Sequence, residues 1–162
     1  MPISRTKDVV LLIVSLAAPF VIGAIGGWAT TRSLSDWYAG LQKPDWNPPN
    51  AVFGPVWSLL YILMGIALWR ILRMGWATEG VQPAVIWFAV QLALNLGWSL
   101  IFFGLRAPGP ALVEILFLLA AILVTTRRFY VLDPAAGWLL VPYILWSAFA
   151  TVLNGTVWRL NS

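Results

Sequence analysis

The chain reads as all-α, an integral membrane bundle of five transmembrane helices, on three observations. Hydrophobic residues make up 60% of its 162 positions and charged residues only 10%, whereas a water-facing surface ordinarily draws on about a quarter charged residues. The stretches Val9 to Thr31, Trp46 to Trp69, Gly80 to Leu105 and Pro134 to Trp158 hold no Asp, Glu, Lys or Arg, and each meets the ~20 residues that cross a hydrocarbon core. The connections Met74 to Val81, Leu105 to Gly109 and Phe129 to Ala136 are short and rich in Gly, Pro or charge, so consecutive helices run antiparallel.

The predicted helices cover about 8–29, 51–73, 80–105, 110–131 and 135–158, in one membrane domain over 1–162 with no soluble appendage. Arg5 and Lys7 before the first apolar run suggest a secretory signal, but the run is too long for one and four further spans follow. Within that span Pro19 offers a kink, and Gly23-x-x-x-Gly27 reads as a close-packing face. The one long connection, about 30–50, carries Pro44, Pro48 and Pro49 together with the rings of Trp37, Tyr38 and Trp46. Such rings suit a lid folded over a cavity mouth, and equally a belt at the lipid headgroups.

Helical phase sorts the remaining spans. Trp57, Tyr61, Met64 and Leu68 share a stripe on the second. On the third, Ala89, Ala93 and Gly97 form a small-residue face on which another helix can lie close, and Gln91, Asn95, Trp98 and Phe102 fall roughly opposite. Amides in hydrocarbon need partners, so Gln91 and Asn95 bond to neighbouring helices, to water or to a bound molecule. The fourth span includes one acid, Glu114, near its start, where a helix N-terminus and the interface tolerate it. Pro142, Trp146, Phe149, Leu153 and Asn154 stripe the fifth. Three helices directing tryptophan plus an amide or phenol inward resemble the lining of an apolar pocket.

Composition also excludes. The chain has no cysteine and no histidine, so disulfides, thiolate chemistry and imidazole metal ligation are closed to it and no metal site is expected. The net charge of +4 is spread over the loops, as lipid-interface anchoring requires, and nucleic acid is not an expected partner. Counting Lys and Arg by side places Arg5, Lys7, Arg70, Arg73, Arg127 and Arg128 with the N-terminus against Arg32, Lys43, Arg106 and Arg159 opposite, which favours a cytoplasmic N-terminus.

Several motifs occur in order: Trp37-Tyr38, Lys43-Pro44-x-Trp46-x-Pro48-Pro49, Pro55-x-Trp57-x-x-x-Tyr61, Asn95-x-x-Trp98, Pro142-Tyr143-x-x-Trp146, and Leu153-Asn154 with Trp158-Arg159. From about Trp28 to Ser162 the chain resembles the TspO/MBR family of tryptophan-rich sensory and translocator proteins, also called the peripheral benzodiazepine receptor family. The resemblance implies a five-helix bundle, commonly a homodimer, with a cavity under the first long loop. It implies binding of porphyrins and other tetrapyrroles, of isoquinoline-carboxamide and benzodiazepine-type ligands and, in animal members, of cholesterol; some bacterial members promote light-dependent breakdown of protoporphyrin. Carried over by motif, the pocket tryptophans are Trp57 and Trp146, the pocket asparagine is Asn95, the loop contacts are Trp37 and Tyr38, and the dimer seam is Ala89, Ala93 and Gly97. Gly155 stands where animal relatives have the tyrosine of their sterol motif, so that motif is incomplete here.

The expected ligand-binding set is therefore Trp37, Tyr38, Trp57, Tyr61, Gln91, Asn95, Trp98, Phe102, Trp146 and Phe149. No catalytic residue and no required cofactor are expected; Trp57 and Trp146 are the candidate electron donors if light acts on a bound porphyrin. Haem is a candidate ligand too, but without histidine a free-base porphyrin fits better. Two other classes stand beside this one: a facilitator or transporter of a small apolar molecule, and a structural assembly protein whose own side chains fill the pocket. The expected location is a prokaryotic cell membrane, crossed several times.

Overall fold

The computed structural model describes residues 4–162, and among them every regular element is helical; the first three residues of the expected domain lie outside the described range. Five helices are long and apolar enough to span a membrane: α1 (Arg5–Tyr38), α2 (Asn50–Leu72), α3 (Val81–Gly104), α4 (Pro108–Leu132) and α5 (Pro134–Leu160). Even α2, the shortest at 23 residues, rises about 35 Å at 1.5 Å per residue, more than the hydrocarbon thickness of about 30 Å.

Local chemistry sets the ends. Ser4 caps α1 by accepting from the Lys7 amide at 3.4 Å, and Asp8 lies in the first turn, where the helix dipole favours an acid. Pro108 opens α4 and Pro134 opens α5, positions where a missing amide hydrogen costs nothing. The Asp133 carboxylate caps α5, accepting from the amides of Ala135 at 3.0 Å and Ala136 at 3.4 Å. A break at Leu140 divides α5 into Pro134–Leu139 and Val141–Leu160. Pro142 is its cause, having no amide hydrogen to return to the preceding turn.

Wide π-type turns end two helices, Leu34–Tyr38 in α1 and Leu100–Gly104 in α3. The first corrects the expected boundaries. The region expected to be a lid over 30–50 is helical as far as Gly40, which leaves only 41–49 as loop. No proline falls in 30–40, the next after Pro19 being Pro44, and a tertiary contact holds the extension: the Ser33 hydroxyl donates to the Phe103 carbonyl at 2.6 Å.

Two packed regions result. Toward the N-terminal side, Met64, Ala67 and Ile71 of α2, Phe88 of α3, Ile115, Ile122 and Phe129 of α4 and Tyr143 of α5 are buried together, with Phe88 and Phe129 stacked at 5.7 Å. There α1 crosses α2 at Gly65, where an added Cβ would lie 2.8 Å from the Leu16 Cα; only glycine permits that approach. At the opposite end Tyr38, Phe102, Phe103, Ala111, Leu153 and Val157 form a second cluster. Large apolar side chains such as Ile13, Phe117, Leu145 and Val152 face outward, the arrangement lipid demands. Charge is confined to the ends apart from Glu114, which lies within α4 beside Gly97 of α3 with both carboxyl oxygens buried and without a hydrogen-bond partner among the described residues. Arg73 pairs with Asp8 at 2.9 Å, and Asp8 also accepts from the Trp69 indole at 3.0 Å. Arg70 grips Asp133 through two bonds of 2.7 and 3.1 Å, which hold the Asp133 carboxyl below its ordinary range.

Candidate ligand-binding cavity

Between the clusters lies a cavity of about 520 Å³, within the 300–1,000 Å³ usual for small-molecule sites. Its deep end is built by α1 and α2. Phe20 meets Tyr61 edge-on at 5.7 Å, and Tyr61 stacks on Trp57 at 5.5 Å. Gly23 makes the room, since a Cβ there would collide with the Tyr61 ring. The α5 wall presents Trp146, Phe149, Leu153 and Asn154, with Phe53 of α2 edge-on to Trp146 at 5.8 Å. The α3 wall presents Trp98 stacked on Phe102 at 5.3 Å, with Ser99 and Phe103. Tyr38 closes the upper end.

Ten of the 24 lining residues are aromatic and none is Asp, Glu, Lys or Arg, so the interior suits an uncharged ring system. Thr30, Thr31, Asn50, Ser58, Ser99 and Asn154 supply its polar points. Asn154 also braces the walls, accepting from the Trp98 indole at 3.0 Å and donating to the Pro108 carbonyl at 2.7 Å. The lining residues that stay exposed, Phe20, Ala24, Gly27 and Thr31 of α1 with Asn50, Gly54 and Ser58 of α2, all belong to the two helices flanking one seam. The cavity opens there, sideways.

Of the expected binding residues, Tyr38, Trp57, Tyr61, Trp98, Phe102, Trp146 and Phe149 share this lining, and Trp37, Gln91 and Asn95 do not. Trp37 sits behind it, edge-on to Phe102 at 5.6 Å. Asn95 is buried and donates to the Tyr143 hydroxyl at 3.0 Å; Tyr143 in turn backs Trp57 at 6.2 Å. Gln91 is buried with its amide nitrogen 3.9 Å from the Met64 sulfur. Both amides thus face neighbouring helices. Trp37 and Tyr38 ride on the helical extension of α1 and not on a loop. Ala89 and Ala93 are uncovered in the single chain, while Gly97 abuts Glu114.

The wall contributed by α1 was not expected. Its signal was present in the spacing of Gly23, Gly27 and Thr30, but small residues at that interval describe a cavity wall and a helix contact equally well.

A charge-free aromatic chamber inside five membrane-spanning helices defines a polytopic membrane protein that encloses space for an apolar small molecule. The chain belongs to the TspO/MBR family, whose model matches residues 15–159. It is 41% identical over 155 residues to the tryptophan-rich protein TspO of Chlorobaculum tepidum, covering 96% of this chain and 98% of the relative. Identity to the human translocator protein is 47% over 126 residues, 77% of this chain and 75% of that one. The tryptophan-rich sensory protein of Cereibacter sphaeroides is 39% identical over 143 residues, 86% and 88% of the two chains. Family and fold together make this a multi-pass membrane protein with a sensor or translocator role.

Proposed function

We propose that the protein is a receptor-type member of its family that holds a tetrapyrrole, or a similarly flat hydrophobic molecule, in the aromatic cavity. The observation that carries the reading is the lining itself, ten rings on four helices with no charge among them. Trp57, Trp98 and Trp146 stack on or edge-pack the ring, and Asn154 and Ser99 orient it by hydrogen bonding. Carboxylate edges of a porphyrin point out through the open seam, where Arg32 follows the lining residue Thr31. No cofactor is required, and free-base porphyrin is favoured over haem because the chain has no histidine.

Light adds a second step. The excited porphyrin takes one electron from the Trp57 or Trp146 indole; the porphyrin radical anion passes it to dissolved dioxygen, which becomes superoxide, and the indole radical cation recovers its electron from the porphyrin, leaving the ring oxidised by one electron beside the superoxide. The protein works as a homodimer through Ala89, Ala93 and Gly97, in a prokaryotic cell membrane. Facilitated passage of the ligand is the second reading, favoured by the lateral opening between α1 and α2.

Protoporphyrin IX titrated into the detergent-solubilised protein tests the proposal. Saturable binding in darkness is expected. Each ring contact contributes ~0.5–1.5 kcal/mol beyond burial, so Trp57→Phe and Trp146→Ala should weaken binding about 2- to 10-fold. Absence of saturable binding defeats the tetrapyrrole reading; light-driven loss of the absorption band at an unchanged rate in Trp57→Phe and in Trp146→Phe defeats the electron-donor step alone.

A further inference from the structure

Arg127 lies far from the aromatic cavity and takes no part in either ion pair among the described residues. Beside it, on the outer face of the bundle toward the N-terminal side, is a groove of about 330 Å³ between α4 and α5. The groove exists because the two backbones meet at Gly137, where a Cβ would lie 2.7 Å from the Tyr130 Cα; flanking side chains are spread apart around that contact. Its trough is aliphatic, made by Leu123, Val141 and Ile144. Its rim carries Tyr130 and Trp138, an edge-on pair at 6.5 Å, both well exposed.

The polar lining residues, Thr126 and Arg127, stand one turn inside Tyr130 on α4. Arg127 and Arg128 are exposed, and of the acids on this side of the bundle Asp8 is engaged by Arg73 and Asp133 by Arg70. The N-terminal side carries Arg5, Lys7, Arg70, Arg73, Arg127 and Arg128 against Asp8, Glu79 and Asp133, an excess of three positive charges. Thr126, which also lines the groove, has a buried hydroxyl without a partner. By contrast Thr30, Thr125, Thr151 and Thr156 each return theirs to the carbonyl four residues back.

We propose that this groove is a site for one anionic phospholipid of the leaflet on the N-terminal side. The phosphate lies at the level of Tyr130 and Trp138, where the Arg127 side chain, rooted one turn deeper on α4, reaches up to it, and one acyl chain runs along Leu123, Val141 and Ile144. Basic pockets between membrane helices attract such headgroups, each cation near the surface favouring the negative lipid, and aromatic rings settle at the headgroup level. The choice of an anionic over a zwitterionic lipid follows from the lining, which has a cation and no acid. A choline or ethanolamine group therefore finds no counter-charge there.

Native mass spectrometry of the full chain in detergent, titrated with phosphatidylglycerol or with phosphatidylcholine of identical acyl chains, tests this. One phosphatidylglycerol should be retained about 5- to 10-fold more tightly than phosphatidylcholine. Arg127→Gln should lower it to the phosphatidylcholine level, and Val141→Trp, which fills the trough, should expel both lipids. Excess sn-glycerol 3-phosphate should displace neither. Equal retention of the two lipids, unchanged preference in Arg127→Gln, retention in Val141→Trp, or displacement by glycerol phosphate overturns the site. Thermal unfolding midpoints of both variants establish that the bundle is intact, and because the groove lies apart from the cavity the outcome is independent of porphyrin binding.

Discussion

Single side chains in this bundle do either structural or chamber work, and the two buried asparagines show the difference. Asn154 lines the cavity and links α3, α4 and α5 through the Trp98 indole and the Pro108 carbonyl. Asn95 is buried outside it and bonds only to Tyr143. Replacing either by alanine strands buried partners, at a cost of about 1–3 kcal/mol each, so both variants should show lowered unfolding midpoints in detergent. Only Asn154→Ala should also weaken porphyrin binding directly, because it frees Trp98 to turn. Equal effects on affinity would show that the amide outside the wall matters to the ligand as much as the one within it. Gly65 is more constrained still. Gly65→Ala places a methyl against the Leu16 backbone and should destabilise the α1–α2 crossing by about 1–3 kcal/mol, read as a fall in the same midpoint.

At the level of elements, the extension of α1 and the loop after it form one cover. Lys43 ends the extension by donating to the Tyr38 carbonyl at 2.7 Å and the Leu41 carbonyl at 2.9 Å, and its ammonium stands 4.9 Å from the Tyr38 ring. Tyr38 donates to Asn47 at 3.2 Å, and Trp46 meets Phe149 edge-on at 5.9 Å. The loop is clasped to the end of α5: the Asn161 side chain accepts from the Gln42 amide and donates to the Gln42 carbonyl, both at 2.9 Å. Both residues are exposed, so Asn161→Ala should leave the free energy of global unfolding within about 0.5 kcal/mol of the parent, its effect being confined to local opening of the cover. Losing two hydrogen bonds of ~0.5–1.5 kcal/mol each should speed both proteolysis within 41–49 and porphyrin release several-fold. Unchanged release with faster proteolysis would place ligand exit at the α1–α2 seam and not under the cover.

For the whole molecule, lipid is the solvent and charge marks its edges. The Arg70–Asp133 pair ties α2 to the start of α5, with side chains 37% and 19% exposed; at that exposure such a pair is worth about 0.2–1 kcal/mol. Its Asp133 carboxyl is held below the ordinary value chiefly by the hydrogen bond from Arg70. The stabilisation is therefore complete above the unfolded-chain value of about 4 and is lost as pH falls through the lower folded value. The unfolding midpoint should drop over that acid range, and Asp133→Asn, which keeps a capping oxygen and removes the charge, should flatten this part of the profile. The outward face of Ala89 and Ala93 belongs to the same scale. If two copies meet there, Ala93→Trp should convert a cross-linkable dimer to monomer while the cavity, built within one chain, keeps its porphyrin affinity.

The sequence by itself determined the membrane class, the five spans and, with the exception of the exposed Pro142, the inward stripes of α2 and α5, because burial in lipid requires long uncharged runs and helical phase then assigns each ring to a face. Seven of the ten residues expected around a ligand share one lining for that reason. Tertiary structure decided the rest. Whether Gln91 and Asn95 point at a ligand or at a neighbouring helix depends on where Met64 and Tyr143 arrive, which local periodicity does not encode. The same holds for α1, whose glycines and threonines become a cavity wall only because Tyr61 and Trp57 stand opposite. The helical course through Trp37 and Tyr38 likewise depends on a carbonyl of α3, seventy residues away in the chain. Faces follow from the order of residues, but partners follow from packing, since each contact is completed by a surface that another segment provides.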